Sequence, residues 1–260
     1  MSIRKKILAI SIGPVLVLGV ITLLFMLTMV KSSLMDEVQD ALKGTAAATL
    51  AAYDQNTGDY LESTNGDIWK GSYNISKSES LVDRIKENTG MDVTFFYGNK
   101  RIMTSALDKK GNRILGSEAG ERVVNQVIKG KKPFFSTNVS LDGTRNYGYF
   151  IPVYQNGTTD QVIGMVFVGT NKARKDAIVN KILGSIMMAL LVVMLLCIVT
   201  AMRMAASISK NIKNSVAVVG KLADGDLNVW VDEKLLKRKD EIGDCLLYTS
   251  PSPRDGATSR

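Results

Sequence analysis

ILGSIMMALLVVMLLCIVTAM, residues 182–202, is a run of 21 positions without a charge, bracketed by Lys181 and Arg203. A helix of that length rises about 31 Å, enough to cross a hydrocarbon core of about 30 Å. In lipid the backbone has no water to bond to, so a single segment satisfies its amides only as a helix. The run therefore predicts a crossing, with the residues before and after it on opposite sides of a lipid bilayer. Any signal gathered before it must pass through this helix.

A second uncharged run, residues 7–30, follows Arg4-Lys5-Lys6. Its length exceeds the ~7–15 apolar residues of a signal peptide, and no A-x-A site follows it closely, so it reads as an uncleaved anchor. The basic triplet predicts a cytoplasmic N-terminus (residues 1–6) by the positive-inside bias. Arg203, Lys210 and Lys213 after the second run agree; Lys31, Lys172, Arg174, Lys175 and Lys181 on the outer side weaken the bias without reversing it. Residues 31–181 between the crossings make one domain's worth of chain.

Composition removes several functions. The net charge of +8 over 260 residues is spread out, and no basic stripe interleaved with aromatics marks a nucleic-acid surface. The chain has no histidine and no acidic cluster at ligand spacing, which excludes a zinc site and a His-based triad. Cys197 and Cys245 sit in unrelated places and frame no disulfide. Nothing suggests an enzyme or a bound cofactor.

After the first run, Leu34, Val38, Ala41, Thr45, Ala48 and Ala52 recur at helical steps and continue the helix outward as a small-residue face. That face either packs on its own domain or pairs with a second subunit. Residues 53–76 read as loop. A short helix with Leu81, Val82 and Ile85 begins near Ser78 or Ser80 and closes at Gly90. Two β-type runs, 93–97 and 101–106, flank Gly98-Asn99 and predict a hairpin. Asp108 to Asn112 reads as a polar turn, and residues 118–129 as a helix stopping at Gly130. Runs 134–139, 145–154 and 161–169, joined through Asp142-Gly143 and Asn156-Gly157, predict antiparallel neighbours. The domain is thus α+β, with a long N-terminal helix and a five-stranded antiparallel sheet.

Past the second run, Ile208, Ile212, Ser215, Val219 and Leu222 step by 4, 3, 4, 3, a heptad seam suited to a parallel helix pair and hence a homodimer. Gly225 ends it, Leu227, Val229 and Val231 alternate as a connector, and residues 237–243 open a second helix. From Cys245 the text changes, with Pro251 and Pro253 where helix interior is due, each costing about 3 kcal/mol there. Residues 245–260 resemble translated sequencing-adapter read-through and are expected to be foreign.

In this order of parts the chain resembles the front end of a bacterial methyl-accepting chemotaxis receptor. "TGMDVTFFYGNKRIMTS" (89–105), "NRILGS" (112–117), "YGYFIPVY" (147–154) and "QVIGMVFVGTN" (161–171) are similar to a single Cache domain, a PAS-like sensor fold. "LADGDLNV" (222–229) and "DEIG" (240–243) resemble an incomplete HAMP domain over residues 203–244, although Asn211 stands where HAMP helices often carry a proline. The resemblance implies an extracellular Cache domain at 31–181 in the plasma membrane of a bacterium, with both termini cytoplasmic. It implies a small extracellular ligand that biases the last strand and so moves the second membrane helix, by about 1–2 Å. Adaptor and kinase partners would act only through a cytoplasmic signalling domain absent from this fragment. A sensor histidine kinase or a cyclase with the same front end is the alternative, and a membrane-anchored extracellular enzyme finds no nucleophile–base pair.

Arg101 is the first candidate for the ligand, since the resemblance implies an arginine in this "KRIMTS" element. A guanidinium holds a carboxylate bidentately, which points to an amino acid or organic acid; a surface arginine paired with an acid is the other reading. Ser105 shares a face with Arg101 if the strand is regular, whereas the resemblance favours Thr104. Tyr147 and Tyr149 share a face with Ile151 and Val153 and either reach a pocket or satisfy core carbonyls. Trp69 either walls the pocket or anchors its loop.

Overall fold

The computed structural model describes residues 3–224. The connector at Leu227, Val229 and Val231, the helix expected at 237–243 and the tail 245–260 lie outside the described residues. The chain divides into two compact units, one of residues 25–185 and one that joins residues up to 24 with those from 186 onward.

Helix α1 (Ile3–Phe25) continues through a π-helical turn (Met26–Val30) into α2 (Lys31–Asp54), and α5 (Lys172–Ala223) is a single helix of 52 residues. Both stretches are long and apolar enough to cross a membrane, and only 6% of each apolar window is buried. A core helix of a soluble protein would be mostly covered; these faces await another apolar medium. Gly19 of α1 is buried where Met194 Sδ of α5 lies against its backbone, leaving no room for a Cβ. Small residues permit such approach between apolar helices.

Residues 92–171 carry a five-stranded antiparallel sheet in the order β5-β4-β8-β7-β6. Its strands are β4 (Asp92–Tyr97), β5 (Lys100–Thr104), β6 (Phe134–Leu141), β7 (Thr144–Tyr154) and β8 (Val162–Asn171). The hairpins match the turn chemistry, with Gly98, Asp142, Gly143 and Gly157 all at positive φ. Strand β8 does not stay at the edge beside β7. It inserts between β7 and β4, so that the first hairpin and the last three strands close on each other.

On one face α2 and α3 (Glu79–Thr89) bury Val38, Leu42, Val82, Val93, Phe95, Val166 and Val168 in the main core. The buried stripe of α2 is Val38, Leu42, Ala46, Thr49 and Tyr53. The expected face is therefore rotated by one position: Ala41, Thr45 and Ala52 are only half-buried and Ala48 is exposed. The larger Leu42 and Tyr53 remove more apolar surface from water than alanines do, and they set the rotation. The opposite face packs Phe96, Val127, Leu141, Phe150, Met165 and Phe167, under α4 (Glu121–Val123) and the π-helical turns Val124–Lys129 that follow it. The helix expected over 118–129 is thus shorter and wider.

Residues 53–76 are not simply loop. They hold a small sheet of β1 (Tyr60–Glu62), β2 (Ile68–Lys70) and β3 (Tyr73–Asn74), strands too short to show a period. Lys70 is buried in it because Asp54 pairs with its ammonium at 3.1 Å and the Tyr60 ring lies 4.0 Å below. Tyr60 donates to Asp54 Oδ1 at 3.0 Å, and the Tyr53 and Ser78 hydroxyls bond at 2.9 Å.

Burial raises the Tyr53 and Tyr60 phenols well above the ordinary value, with Ser78 opposing it at Tyr53 and Asp54 adding to it at Tyr60. A raised folded pKa favours the protonated form. The stability these phenols contribute is therefore complete below pH about 10, where an unfolded tyrosine titrates, and is lost as pH rises beyond it. Alkaline titration is expected to show phenolate absorbance and loss of tryptophan fluorescence rising together. Titration of all tyrosines near pH 10 in a chain that stays folded would contradict this.

Candidate ligand-binding site

Between the sheet and the chain that runs over its second face lies a cleft of about 520 Å³. That is within the usual range for small-molecule sites. Its floor is aromatic, with Phe96, Phe134, Phe150 and Phe167 contributed by four different strands. Phe150 and Phe167 approach to 4.7 Å between centroids. Residues 136–140 of β6 form one wall, and Glu118, Ala119, Gly120, Arg122 and Val123 form the other.

Arg101 opens onto this cleft and is 8% exposed. Its guanidinium lies 5.3 Å from the Phe96 centroid, and Nη1 donates to the Ile114 carbonyl at 3.3 Å. Its Nε is buried and has no hydrogen-bond partner, and among the described residues no carboxylate forms an ion pair with it. Burial pulls its pKa below the ordinary guanidinium value, with Asp92 opposing that shift. A guanidinium stays charged even so, so the site holds a buried cation with donor capacity to spare. Arg122 adds a second, exposed guanidinium 5.4 Å from the Phe134 centroid.

The overlying chain is pinned in place. Arg101 N donates to the Ser117 carbonyl and Gly116 N to the Arg101 carbonyl, both at 2.9 Å. Arg113 grips the Asp83 carboxylate of α3 with both Nη atoms, at 2.9 and 2.5 Å, and holds the Thr104 carbonyl at 2.8 Å. This pair pushes the Asp83 carboxyl below the usual carboxylate range.

A β-bulge decides which predicted residues share the cleft. Phe95 pairs with Met103 but Phe96 pairs with Arg101, leaving Ile102 as the extra residue. The alternation beyond it is therefore reversed. Met103 sits with Phe95 in the main core, and Thr104, opposite Thr94, lies on the face of Arg101 and Phe96. Ser105 is on the other face, against the expectation for a regular strand. Thr104 is fully buried, its hydroxyl bonded to Thr94 Oγ1 at 2.7 Å and to the Val93 carbonyl at 3.2 Å, and it does not line the cleft. Ser105 Oγ accepts from Val93 N at 2.9 Å.

Tyr147 and Tyr149 are not brought to the cleft. Both lie in the main core with Val38 and Leu42, on the opposite face of the sheet. Tyr147 donates to Asp176 Oδ1 at 2.5 Å, and burial followed by this bond pushes its phenol up to about 12. Trp69 is half-buried in β2, outside the cleft. Arg122 and Glu118 were not legible, since a charged residue near a helix start usually marks a solvated face. Gly148 and Gly169 were passed over too, although glycine inside a strand signals close approach. These two pair across β7 and β8, and the Phe167 ring lies over both.

Residues 73–182 match the protein family described as single cache domain 3. The chain carries a single Cache domain. The match spans the sheet, the bulge and every cleft residue named above. Among solved structures, one titled "Extracellular ligand binding receptor from Desulfohalobium retbaense DSM5692" is similar at 15% identity and a TM-score of 0.40. The overlap covers 56% of this chain and 25% of that one, so this chain spans about a quarter of its length. No curated protein matches.

Proposed function

We propose that the chain is the sensing and membrane-crossing part of a receptor for a small anionic solute, an amino acid or organic acid, held in the Cache cleft. The observation that carries this is Arg101, a buried guanidinium with an unpartnered Nε facing an aromatic-floored cleft. A carboxylate satisfies both its charge and its spare donors. Phenyl rings on the floor suit the apolar part of such a solute and exclude water, which strengthens the charged contact.

The rest of the reading follows from the flanking helices. The Cache domain faces the outside, and residues 1–6 and those after 202 lie in the cytoplasm of a bacterium. The helical end of α5 begins a HAMP domain that pairs with a second copy along its heptad seam, where Ile208 and Val219 are 40% and 38% exposed and Ile212 and Ser215 half-buried in the single chain. The output is chemotaxis through adaptor and kinase partners; a histidine kinase or cyclase shares all these features and is distinguished by its output domain.

The test is a thermal-shift screen of the whole chain in lipid nanodiscs against α-amino acids, mono- and dicarboxylates and their neutral amides. Selective binding raises apparent stability by about 2.7 kcal/mol at a hundredfold excess over Kd. Stabilisation by an acid and none by its amide is expected. Stabilisation by amide and acid alike would remove the anionic reading.

A further inference from the structure

We propose that the bulge of β6, Lys172 and the Tyr147–Asp176 hydrogen bond form one clamp, through which occupancy of the cleft sets how firmly the first turns of α5 are held to the sheet. Strand β6 forms a cleft wall, and its pairing with β7 slips between Ser136 and Val139. Thr137 and Asn138 are the residues in the slip, and both line the cleft. The bulge takes Thr137 out of the regular ladder, and its carbonyl accepts instead from Lys172 Nζ at 3.1 Å. Lys172 is the first residue of α5. The cleft wall and the root of that helix are thus joined by one bond.

Tyr147 closes the clamp from the other side. It is the β7 residue between the partners of Ser136 and Val139, so it faces the bulge across the ladder. Its ring stacks on Phe135 at 6.4 Å with an interplanar angle of 8° and lies 5.2 Å from the Lys172 ammonium. Its hydroxyl reaches Asp176, one helical turn beyond Lys172, at 2.5 Å. Asn171 Oδ1 accepts from Arg174 N at 3.0 Å and fixes the helix start between them.

The two links differ in strength. Both bonds involve a charged group, but the Tyr147 bond to Asp176 is part-buried, whereas the Lys172 bond is exposed and competes with water. A solute that moves residues 136–140 breaks or tightens the weaker link while the stronger one keeps α5 on the sheet. A two-state hold of this kind needs one labile contact and one firm one.

This rests on the reading of the cleft as the ligand site, and hydrogen exchange of the whole chain in nanodiscs tests it without a ligand. Lys172→Met and Tyr147→Phe are each expected to speed exchange of the amides of 172–178 by about 2- to 10-fold, the range of one hydrogen bond. Exchange in β4 and β5 should be unchanged. Ala119→Trp, which fills the cleft from the wall opposite β6, should alter exchange at 172–178 in the wild-type background and not in Lys172→Met. Ala119→Phe replaces it if the tryptophan variant does not fold. Wild-type exchange in both clamp variants would overturn the proposal. So would a cleft-filling effect that is absent from the wild-type background or equal in the two backgrounds. Failure of every acid in the solute screen would instead remove the anionic reading and leave the clamp result standing.

Discussion

Arg101→Met is expected to lower affinity for a carboxylate by about 30-fold to several thousand-fold, the usual effect of removing one partner of a buried hydrogen-bonded charge pair. Unlike most buried substitutions, it should not destabilise the ligand-free protein. The guanidinium has one long hydrogen bond, to the Ile114 carbonyl at 3.3 Å, and an unpartnered Nε. Its burial without a carboxylate is a cost that methionine, of similar length, does not carry. The melting temperature of the unliganded variant should therefore stay level or rise while binding is lost. Arg101→Lys should rescue little, because an ammonium cannot present the guanidinium's two parallel donors. Calorimetric titration of both variants with the acid found in the screen, beside unliganded melting curves, separates the two effects. Unchanged affinity in Arg101→Met would place the solute elsewhere, and a large fall in melting temperature would make the arginine a structural tie of residues 114–117.

Gly148→Val should both destabilise the domain and close its cleft. A Cβ at Gly148 would stand 2.5 Å from Phe167 Cε2 and 2.8 Å from Val139 Cγ2. Gly169, its partner across the ladder, meets the same ring. Phe167 lies flat because both strands leave a bare backbone beneath it, and that flatness gives the cleft its depth. Overpacking of this kind costs about 1–3 kcal/mol, and a branched residue should reach or exceed the upper end. The ring can relax only upward, into the space a solute needs. Urea unfolding should show a lower midpoint, and acids that stabilise the wild type should no longer do so. Gly90→Ala is the control, at φ 68° with no atom within 4 Å of its Cβ. It should lose only the ~1 kcal/mol of a left-handed helix cap and bind normally.

Much of this architecture is written locally. Two uncharged runs of sufficient length specify two membrane-length helices whatever surrounds them, because lipid leaves the backbone no other solution. Gly98-Asn99, Asp142-Gly143 and Asn156-Gly157 specify three antiparallel connections, since positive φ at a tight turn is a property of a few residues and their neighbours. Ser78 and Gly90 bound a helix for the same reason. The arginine in the "KRIMTS" element, too, could be singled out before any fold was known.

Which of its neighbours it meets could not. The one extra residue, Ile102, turns Ser105 away from Arg101 and Thr104 towards its face, and nothing in five consecutive letters announces a bulge. Tyr147 and Tyr149 alternate just as a cleft wall would, yet they point under α2, because the two faces of β7 are told apart only by what packs on each. The rotation of α2 onto Leu42 and Tyr53, the insertion of β8 between β4 and β7, and the bond from Lys172 to Thr137 likewise join residues far apart in the chain. Helix, strand and turn are decided by free energies within a few residues, and the sequence alone determined those. Side-chain direction and register are decided by contacts across the whole domain, where a shift of one residue exchanges the two faces of a sheet, and only the tertiary structure decided those.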